Sequence, residues 1–185
     1  NIVQIMNNFP VIKFGLLFRF VEITDAEFIL SLRTDDKLSL YLNKTSQNIQ
    51  HQINWINDYK KREANKKEFY FIACSPDNKI KFGVNRIYNI KNKSFEIGSW
   101  LFRSNIGNSI AIVSDLFCRS IFFNQKNFTK CVFEVRKKNK KVLKYHKMFS
   151  PRIVSEDENN FYFELDKDSF TKQKNKLIKL LGYEK

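Results

Sequence analysis

The sequence predicts one mixed α/β domain, with a mostly antiparallel sheet of six to seven strands covered by helices on both faces. Of its 185 residues, 43% are apolar and 28% are charged, which is enough apolar material for a core. The hydrophobic period switches repeatedly between strand-like and helix-like along the chain. Residues 95–136 have the pattern strand, helix, strand, and a right-handed crossover makes those two strands parallel.

The N-terminal third predicts one strand followed by helices. Thr24 and Glu27 have the spacing of a capping box, so a helix is expected to begin there and run through Arg33. Thr45 or Ser46 is expected to cap a longer helix, which ends in a basic run. The segments are a strand at 16–22, a short helical piece at 38–42, apolar helical positions Ile49, Ile53 and Ile56, and the basic run at 60–67.

The middle of the chain predicts a three-stranded antiparallel meander. Strands are expected at 69–75, 80–90 and 95–102. Polar turns at 76–79 and 92–94 separate them, and both turns are short enough for hairpins.

The C-terminal half predicts alternating helices and strands. In order these are a buried helix at 110–123, a strand at 130–136, a basic helix at 139–149 stopped by Pro151, a strand at 161–165 and an amphipathic helix at 169–181. No internal repeat or long linker divides the chain, so 1–185 is interpreted as a single domain. Residues 1–12 are expected to be peripheral, and 168–185 to form a basic C-terminal helix.

Composition limits the partners and the compartment. The net charge of +14 invites nucleic-acid binding, but an AT-rich coding bias gives the same excess of Lys and Asn, so nucleic acid is not the expected partner. Three separated cysteines and two histidines provide poor material for a metal site, and no metal is predicted. Free cysteines and the absence of a signal peptide or apolar span favour a cytoplasmic protein without membrane contact.

The loop at 103–109 is the first candidate for chemistry. It is built from small polar residues and leads into an apolar helix, whose first backbone amides have no partner within the helix. Free amides at the positive end of a helix dipole bind phosphates. Many strand–helix turns have this composition only for capping, so the loop by itself leaves both interpretations open.

The chain resembles the GCN5-related N-acetyltransferase (GNAT) superfamily, in the branch of the ribosomal-protein acetyltransferases and bacterial amino-sugar acetyltransferases. Three segments carry the resemblance, which extends from about Leu16 to Leu165: residues 18–33 resemble the first strand and helix, 96–101 (EIGSWL) the central strand, and 139–149 the late helix. The resemblance implies the GNAT fold, with a splayed pair of parallel strands, and acetyl-CoA as co-substrate.

The resemblance also implies which residues bind acetyl-CoA. The family's loop reads Q/R-x-x-G-x-G/A and corresponds here to 106–111, where Ile106 and Ser109 depart from the pattern and Ala111 fits it. A bulge in the central strand at 98–101 is expected to present an amide to the thioester carbonyl. The expected cofactor-binding residues are Trp100, Leu101, Phe102, Arg103, Gly107, Asn108, Ser109, Ile110, Ala111, Asn139 and Val142. The lysines between 137 and 147 are candidates for the 3′-phosphate.

The remaining site residues follow from the same register. His146 or Tyr145 is expected to act as the acid toward the leaving thiolate, although both lie on the apolar stripe of the late helix, where a plain core role is the alternative. Glu96 is the expected base, or else a carboxylate paired with Arg86. The acceptor wall is expected to include Arg33, Asp35, Tyr41 and Glu134.

The resemblance implies transfer of an acetyl group from acetyl-CoA to a primary amine. The favoured acceptor is a nucleotide-linked amino sugar for a surface polysaccharide. One alternative is a ribosomal-type protein N-terminal acetyltransferase, and another is a non-catalytic basic RNA-binding module on the same fold. A homodimer is compatible with the resemblance, but no interface is identified.

Overall fold

The computed structural model describes residues 7–183 and places eight strands in one sheet, in the order β1-β2-β3-β4-β5-β6-β8-β7. The strands are β1 Val11–Lys13, β2 Leu16–Phe20, β3 Phe69–Cys74, β4 Lys81–Tyr88, β5 Ser94–Phe102, β6 Lys130–Arg136, β7 Arg152–Glu156 and β8 Asn160–Asp166. All neighbouring strands are antiparallel except β5 and β6, which are parallel. This confirms the predicted mixed α/β class and the crossover.

Among the described residues, five α-helices cover the two faces of the sheet. They are α1 Ala26–Thr34, α2 Ile49–Ala64, α3 Asn108–Phe123, α4 Lys140–Lys147 and α5 Lys167–Leu180. Helices α1 and α2 pack on one face, and α3, α4 and α5 pack on the other. Strand β3 is buried along its whole length because it contributes alternate side chains to both packed faces. Its uninterrupted apolar sequence therefore reflects burial on two sides.

The two parallel strands diverge after three pairs of residues. Ser94 to Glu96 of β5 are opposite Lys130 to Val132 of β6, and the ladder then ends although both strands continue. Beyond this point, the described residues of β5 and β6 leave a V-shaped gap. The predicted splayed pair is therefore present.

A bulge lies on the other edge of β5. Gly98 is opposite Arg86 while Leu101 is opposite Val84, so β5 carries one extra residue here. Ser99 absorbs the irregularity with a φ of 49°. A Cβ at Gly98 would approach the hydroxyl of Tyr88 to 2.9 Å, so a larger residue here would displace the end of the Tyr88 side chain. The bulge falls within the predicted segment 98–101.

Three local predictions are wrong. The capping box is formed by Glu22 and Asp25 around a 3-10 turn at Ile23–Asp25, not by Thr24 and Glu27. The carboxylate of Asp25 accepts from the Glu22 backbone amide at 2.8 Å and forms ion pairs with Arg19 and Lys81. These contacts fix the residue that immediately precedes α1.

The cap of α2 and the strand count also differ from the prediction. Asn48, not Thr45 or Ser46, caps α2 by accepting from the amide of Gln50. The edge strands β1 and β7 raise the sheet to eight strands, and neither was predicted, because β1 has three residues and β7 is exposed throughout. Strand β1 includes part of the segment 1–12, of which residues 1–6 lie outside the described residues, as do residues 184–185 of the predicted C-terminal helix.

Within the described range 7–183, the helices include none with the length and apolar character needed to cross a membrane.

Candidate active site

The N-terminus of α3 lies beside the open end of the V-shaped gap. Gly107 is the N-cap, and it provides no side chain to satisfy the first amides of this 16-residue helix. Gly107 and Asn108 are exposed, and a Cβ built on Gly107 would meet nothing closer than Ser109 Oγ at 3.5 Å. The residues of this turn therefore leave room for a diphosphate on uncapped amides.

The predicted cofactor residues around this turn divide into two groups. Asn108 accepts a hydrogen bond from Lys141 Nζ at 3.2 Å, which brings one of the predicted lysines next to the helix start. Arg103, by contrast, is packed over the ring of Phe28 at 5.2 Å, on the α1 side. The side chains of Leu101 and Phe102 are buried in the core, and Asn139 caps α4 by accepting from the Val142 amide. The side chains of these four predicted residues (Leu101, Phe102, Arg103 and Asn139) therefore have structural roles.

Aromatic rings and one imidazole line the V-shaped gap. The His146 ring lies between Phe133 of β6, at 4.5 Å, and Trp100 of β5, at 5.8 Å. Trp100 also contacts Tyr145 at 4.9 Å and donates from Nε1 to the carbonyl oxygen of Ala111 at 3.0 Å. The late helix α4 thus brings both predicted acids to the point where β5 and β6 separate.

A buried network, defined as Asp115, Arg119, Tyr145 and His146, connects α3 to α4. Arg119 Nε donates to both oxygens of Asp115, at 3.1 and 3.0 Å, and its Nη2 lies 3.2 Å from His146 Nδ1. The Tyr145 hydroxyl donates to Asp115 Oδ2 at 2.7 Å. The side chains of Asp115 and Arg119 are each 1% exposed, so this ion pair is removed from solvent.

The network decides which protons are available. Burial, together with the Asp115 charge, raises the pKa of Tyr145 well above its ordinary value, and its proton is engaged by Asp115. Burial and then the Arg119 charge lower the pKa of His146 well below 6.5, so this imidazole is neutral. Because arginine only donates hydrogen bonds, Nδ1 of His146 must be the acceptor and Nε2 carries the proton.

Glu96 lies at the last paired position of β5 and β6. Its carboxylate accepts from the Tyr88 hydroxyl at 2.7 Å and from Asn89 Nδ2 at 2.7 Å. The alternative pairing with Arg86 is wrong, because Arg86 Nε lies 3.2 Å from Glu68, the residue just before β3, instead. Glu96 is thus a half-buried carboxylate held by two neutral donors.

A small cavity of about 240 Å³ lies on the opposite face of the sheet, against α1 and α2. Ser99 of the bulge lines it, so adjacent residues of the bulge face the two sides: Ser99 the small cavity and Trp100 the gap. Its lining also includes Arg33, Lys44, His51, Trp55, Tyr70 and Arg86. Within the described chain, none of the residues lining this cavity is acidic.

Of the four residues predicted for the acceptor wall, the structure places one at this cavity. Arg33 lines it and donates to Thr45 Oγ1 at 2.9 Å. Asp35 instead accepts from the backbone amides of Lys37 and Leu38, which is an ordinary turn role. Tyr41 is 36% exposed in the 3-10 helix Ser39–Tyr41 that follows α1, and Glu134 is exposed on β6.

Sequence reasoning missed Asp115 and Arg119 on α3, and Trp55, Tyr70 and Arg86 around the small cavity. An available signal was the spacing of Asp115 and Arg119, which places two opposite charges on one face of an otherwise apolar helix. The three cysteines are free and buried, and burial raises the pKa of Cys131 to about 12. Residues 7–183 contain no group of three or more His, Cys, Asp or Glu side chains able to hold a metal ion.

Comparison with known proteins identifies the family. The model of the acetyltransferase (GNAT) domain matches residues 15–148. The solved apo structure of FdhC, a nucleotide-linked sugar GNAT, is 35% identical and superposes with a TM-score of 0.81, covering 94% of this chain and 99% of FdhC. No curated protein sequence is similar to this chain.

Two more distant structures share the fold. Ribosomal-protein-S5-alanine acetyltransferase from Vibrio fischeri is 14% identical with a TM-score of 0.71, covering 86% of this chain and 97% of that one. Spermidine N-acetyltransferase from Vibrio cholerae, solved with CoA and spermine, is 14% identical with a TM-score of 0.70, covering 86% of this chain and 99% of that one.

The chain therefore belongs to the GNAT acetyltransferase family. It is an acyl-CoA-dependent N-acetyltransferase, in a family whose members use acetyl-CoA and an amine acceptor.

Proposed function

We propose that this enzyme acetylates the primary amine of a nucleotide-linked amino sugar. The observation that carries the proposal is the charge of the small cavity beside the bulge, where Arg33, Lys44 and Arg86 contribute cations and no described lining residue is acidic. The similarity to FdhC over nearly the whole chain supports the same acceptor class.

The cavity charge discriminates between acceptor classes. A polyamine carries several positive charges, and a site that binds one needs carboxylates to offset their desolvation. The basic N-terminal segment of a ribosomal protein would meet the same repulsion. A sugar attached to a diphosphate is anionic, so the arginines and the lysine around the cavity favour it over both cationic alternatives.

The co-substrate is placed by different residues. The amides that begin α3 at Asn108 and Ser109 would hold the diphosphate of acetyl-CoA, and Lys141 is close enough to add a positive charge. Trp100, Phe133 and Val142 lie around the gap that would receive the pantetheine arm. These residues position the thioester; their side chains take no part in bond making.

The proton-holding residues have separate roles in this proposal. As the new N–C bond forms and the C–S bond breaks, the amine loses a proton toward Glu96, directly or through water, and sulfur leaves as a thiolate. The Nε2–H of His146 donates a hydrogen bond that stabilises the thiolate. Tyr145 acts by orienting Asp115, because its own proton is already engaged there.

A panel of acceptors tests the proposal. UDP- and dTDP-linked amino sugars, spermidine and a ribosomal N-terminal peptide are each supplied with acetyl-CoA, and thiol release is measured. We expect turnover with at least one nucleotide-linked sugar and little with the two cationic acceptors. Preferred turnover of spermidine or the peptide would overturn the sugar assignment. Absence of both acetyl-CoA binding and turnover, with RNA binding instead, would support the non-catalytic alternative.

A further inference from the structure

The small cavity shares one lining residue with a second and larger depression. A basic groove of about 1270 Å³ lies at the end of the sheet where β4 ends and β5 begins, between the C-terminal ends of α2 and α3. Arg86 lines both the groove and the small cavity, so this side chain borders both spaces.

The volume of the small cavity indicates that an acceptor would also occupy the groove. Sites for drug-sized ligands occupy about 300–1,000 Å³. At about 240 Å³, the small cavity falls below that range and suits a single sugar ring better than a whole nucleotide sugar. The rest of such an acceptor must extend outward, and the basic groove is the adjoining space across Arg86.

An arginine cluster, defined as Trp55, Arg62, Glu68 and Arg86, forms the boundary between the two spaces. Arg62 Nε contacts one oxygen of Glu68 at 2.7 Å, and Arg86 Nε lies 3.2 Å from the other. The two guanidinium groups lie 5.3 and 5.4 Å from the Trp55 ring. One carboxylate therefore faces two arginines, which leaves an excess positive charge at the boundary.

The pairing at the boundary is incomplete. Arg86 Nε and Glu68 Oε1 are at ion-pair distance but are not aligned as a hydrogen bond, and both atoms are buried without a hydrogen-bond partner among residues 7–183. Buried polar groups in native proteins are nearly always satisfied, so this contact holds Arg86 less firmly than the aligned bond holds Arg62. Arginine guanidinium groups match phosphate oxygens in geometry and charge.

The groove extends the same chemistry. Lys66, Lys67, Lys91 and Lys126 line it with exposed side chains, and Glu68 is the one acidic residue in its described lining. Tyr88 also lines it and stacks under Arg86, whose Cζ is 4.2 Å from the ring centroid. Aromatic rings beside cations are suited to a nucleoside base attached to phosphate.

We propose, building on the proposed function, that the acceptor lies across Arg86, with its amino sugar in the small cavity, its diphosphate on Arg86 and Arg62, and its nucleoside in the basic groove. In this arrangement the nucleotide and the acetyl-CoA diphosphate occupy opposite ends of β5. The arginine cluster acts as a specificity element that recognises the nucleotide portion of the acceptor.

Steady-state kinetics with the active nucleotide-linked sugar test the arrangement. We expect Arg86→Gln to raise the acceptor KM about tenfold or more, as loss of one charged hydrogen-bonding partner does, with KM for acetyl-CoA unchanged. UDP or dTDP should inhibit competitively against the acceptor, and its Ki should rise by a similar factor in Arg86→Gln. Arg86→Lys, which keeps the charge, should give an intermediate value.

A matched pair of double variants controls for general electrostatics. Lys91→Gln/Lys126→Gln removes two charges from the groove, and Lys172→Gln/Lys176→Gln removes two exposed charges from α5. We expect the acceptor KM to rise about threefold only in the groove variant. Acetyl-CoA binding measured by a thermal shift verifies that every variant is folded.

The outcomes separate the two proposals. If wild-type enzyme acetylates a nucleotide-linked sugar and Arg86→Gln leaves both the acceptor KM and the UDP or dTDP Ki unchanged, this arrangement is wrong and the proposed function stands. If wild-type enzyme turns over only cationic acceptors, the proposed function itself fails. Equal effects of the two lysine double variants would also overturn a specific role for the groove.

Discussion

Two clusters in this molecule pair arginine with a carboxylate against aromatic rings, and they differ in their access to solvent. In the buried network, the side chains of Arg119 and Asp115 are each 1% exposed, and Arg119 lies 4.6 Å from the Phe133 ring. In the arginine cluster, Arg62 and Arg86 retain 37% and 23% exposure around a buried Glu68. One cluster connects α3 and α4 beneath the gap, and the other borders the small cavity.

This difference in solvent exposure indicates which cluster can bind a ligand. A fully buried ion pair has already lost its water, so its hydrogen bonds are committed and it fixes the geometry of its neighbours. The buried network accordingly determines the His146 tautomer and the Tyr145 proton. The partly exposed cluster has two guanidinium groups for one carboxylate and both retain exposed surface, so it remains open to an anionic partner. The buried network should therefore govern stability and rate, and the arginine cluster acceptor affinity.

The largest expected effect is on the buried network. Asp115→Asn removes the charge that balances Arg119 in a site with almost no solvent, and we expect it to lower the free energy of unfolding by about 3–5 kcal/mol. Urea denaturation measures the loss.

A double variant makes that test specific. Asp115→Leu/Arg119→Met replaces both charges with apolar groups, and we expect it to cost less than Asp115→Asn because no unpaired buried charge remains. If the free energy of unfolding of Asp115→Asn lies within about 1 kcal/mol of the wild-type value, burial of the Arg119 charge does not depend on Asp115.

The next effect concerns the rate and compares two replacements of one side chain. In His146→Asn, the amide oxygen can take the place of Nδ1 and still accept from Arg119, but the Nε2–H donor is lost. His146→Gln can supply a donor near the Nε2 position. We expect kcat to fall about tenfold or more in the Asn variant and less in the Gln variant. Equal kcat in wild type and the Asn variant would refute the donor role.

The third effect is a pH dependence of stability. His146 is neutral when folded because its pKa is lowered, while in the unfolded chain it titrates near pH 6.5. As the pH falls below about 6.5, the unfolded state binds a proton that the folded state does not, so stability decreases by up to about 1.4 kcal/mol per pH unit.

Unfolding measured between about pH 7.5 and 5.5 stays above the ordinary range of carboxylate titration. His146→Asn should flatten this decline. His51→Asn replaces the other histidine of the chain, which is exposed on α2, and should leave the decline in stability intact. An unchanged slope in the His146 variant would assign the pH dependence to other groups.

Local patterns were sufficient to predict most of the fold. The unbroken apolar β3, the amphipathic α4 and the strand–helix–strand order around α3 are each determined by residues close in sequence. The edge strand β7 escaped prediction because it has no buried face to give a period. The displaced capping box depends on Lys81, which approaches Asp25 only once β4 is in place.

The site was predicted less completely because its contacts join distant elements. The register of the late helix singled out His146 and Tyr145, and the structure has both beside the gap, but their protonation depends on Asp115 and Arg119 from α3. Arg86 lies on β4 between two neighbouring strands, and the sequence alone did not show whether its carboxylate would come from β3 or β5. The structure pairs it with Glu68, which immediately precedes β3.

The smallest expected change in stability is at the arginine cluster, and it is paired with a gain in binding. Glu68→Gln removes a carboxylate between two partly exposed arginines, so we expect the free energy of unfolding to change by about 1 kcal/mol or less. The same variant frees both guanidinium groups from a competing anion, and we expect UDP or dTDP to bind about threefold more tightly, measured by calorimetry. Glu164→Gln, which removes a carboxylate held by Lys130 and Arg152 at the other end of the sheet, is the matched control and should leave the affinity unchanged. If Glu68→Gln instead binds the nucleotide more weakly than wild type, Glu68 does not compete with the ligand. It would then act by orienting the two arginines, and the loss of that orientation would lower the affinity.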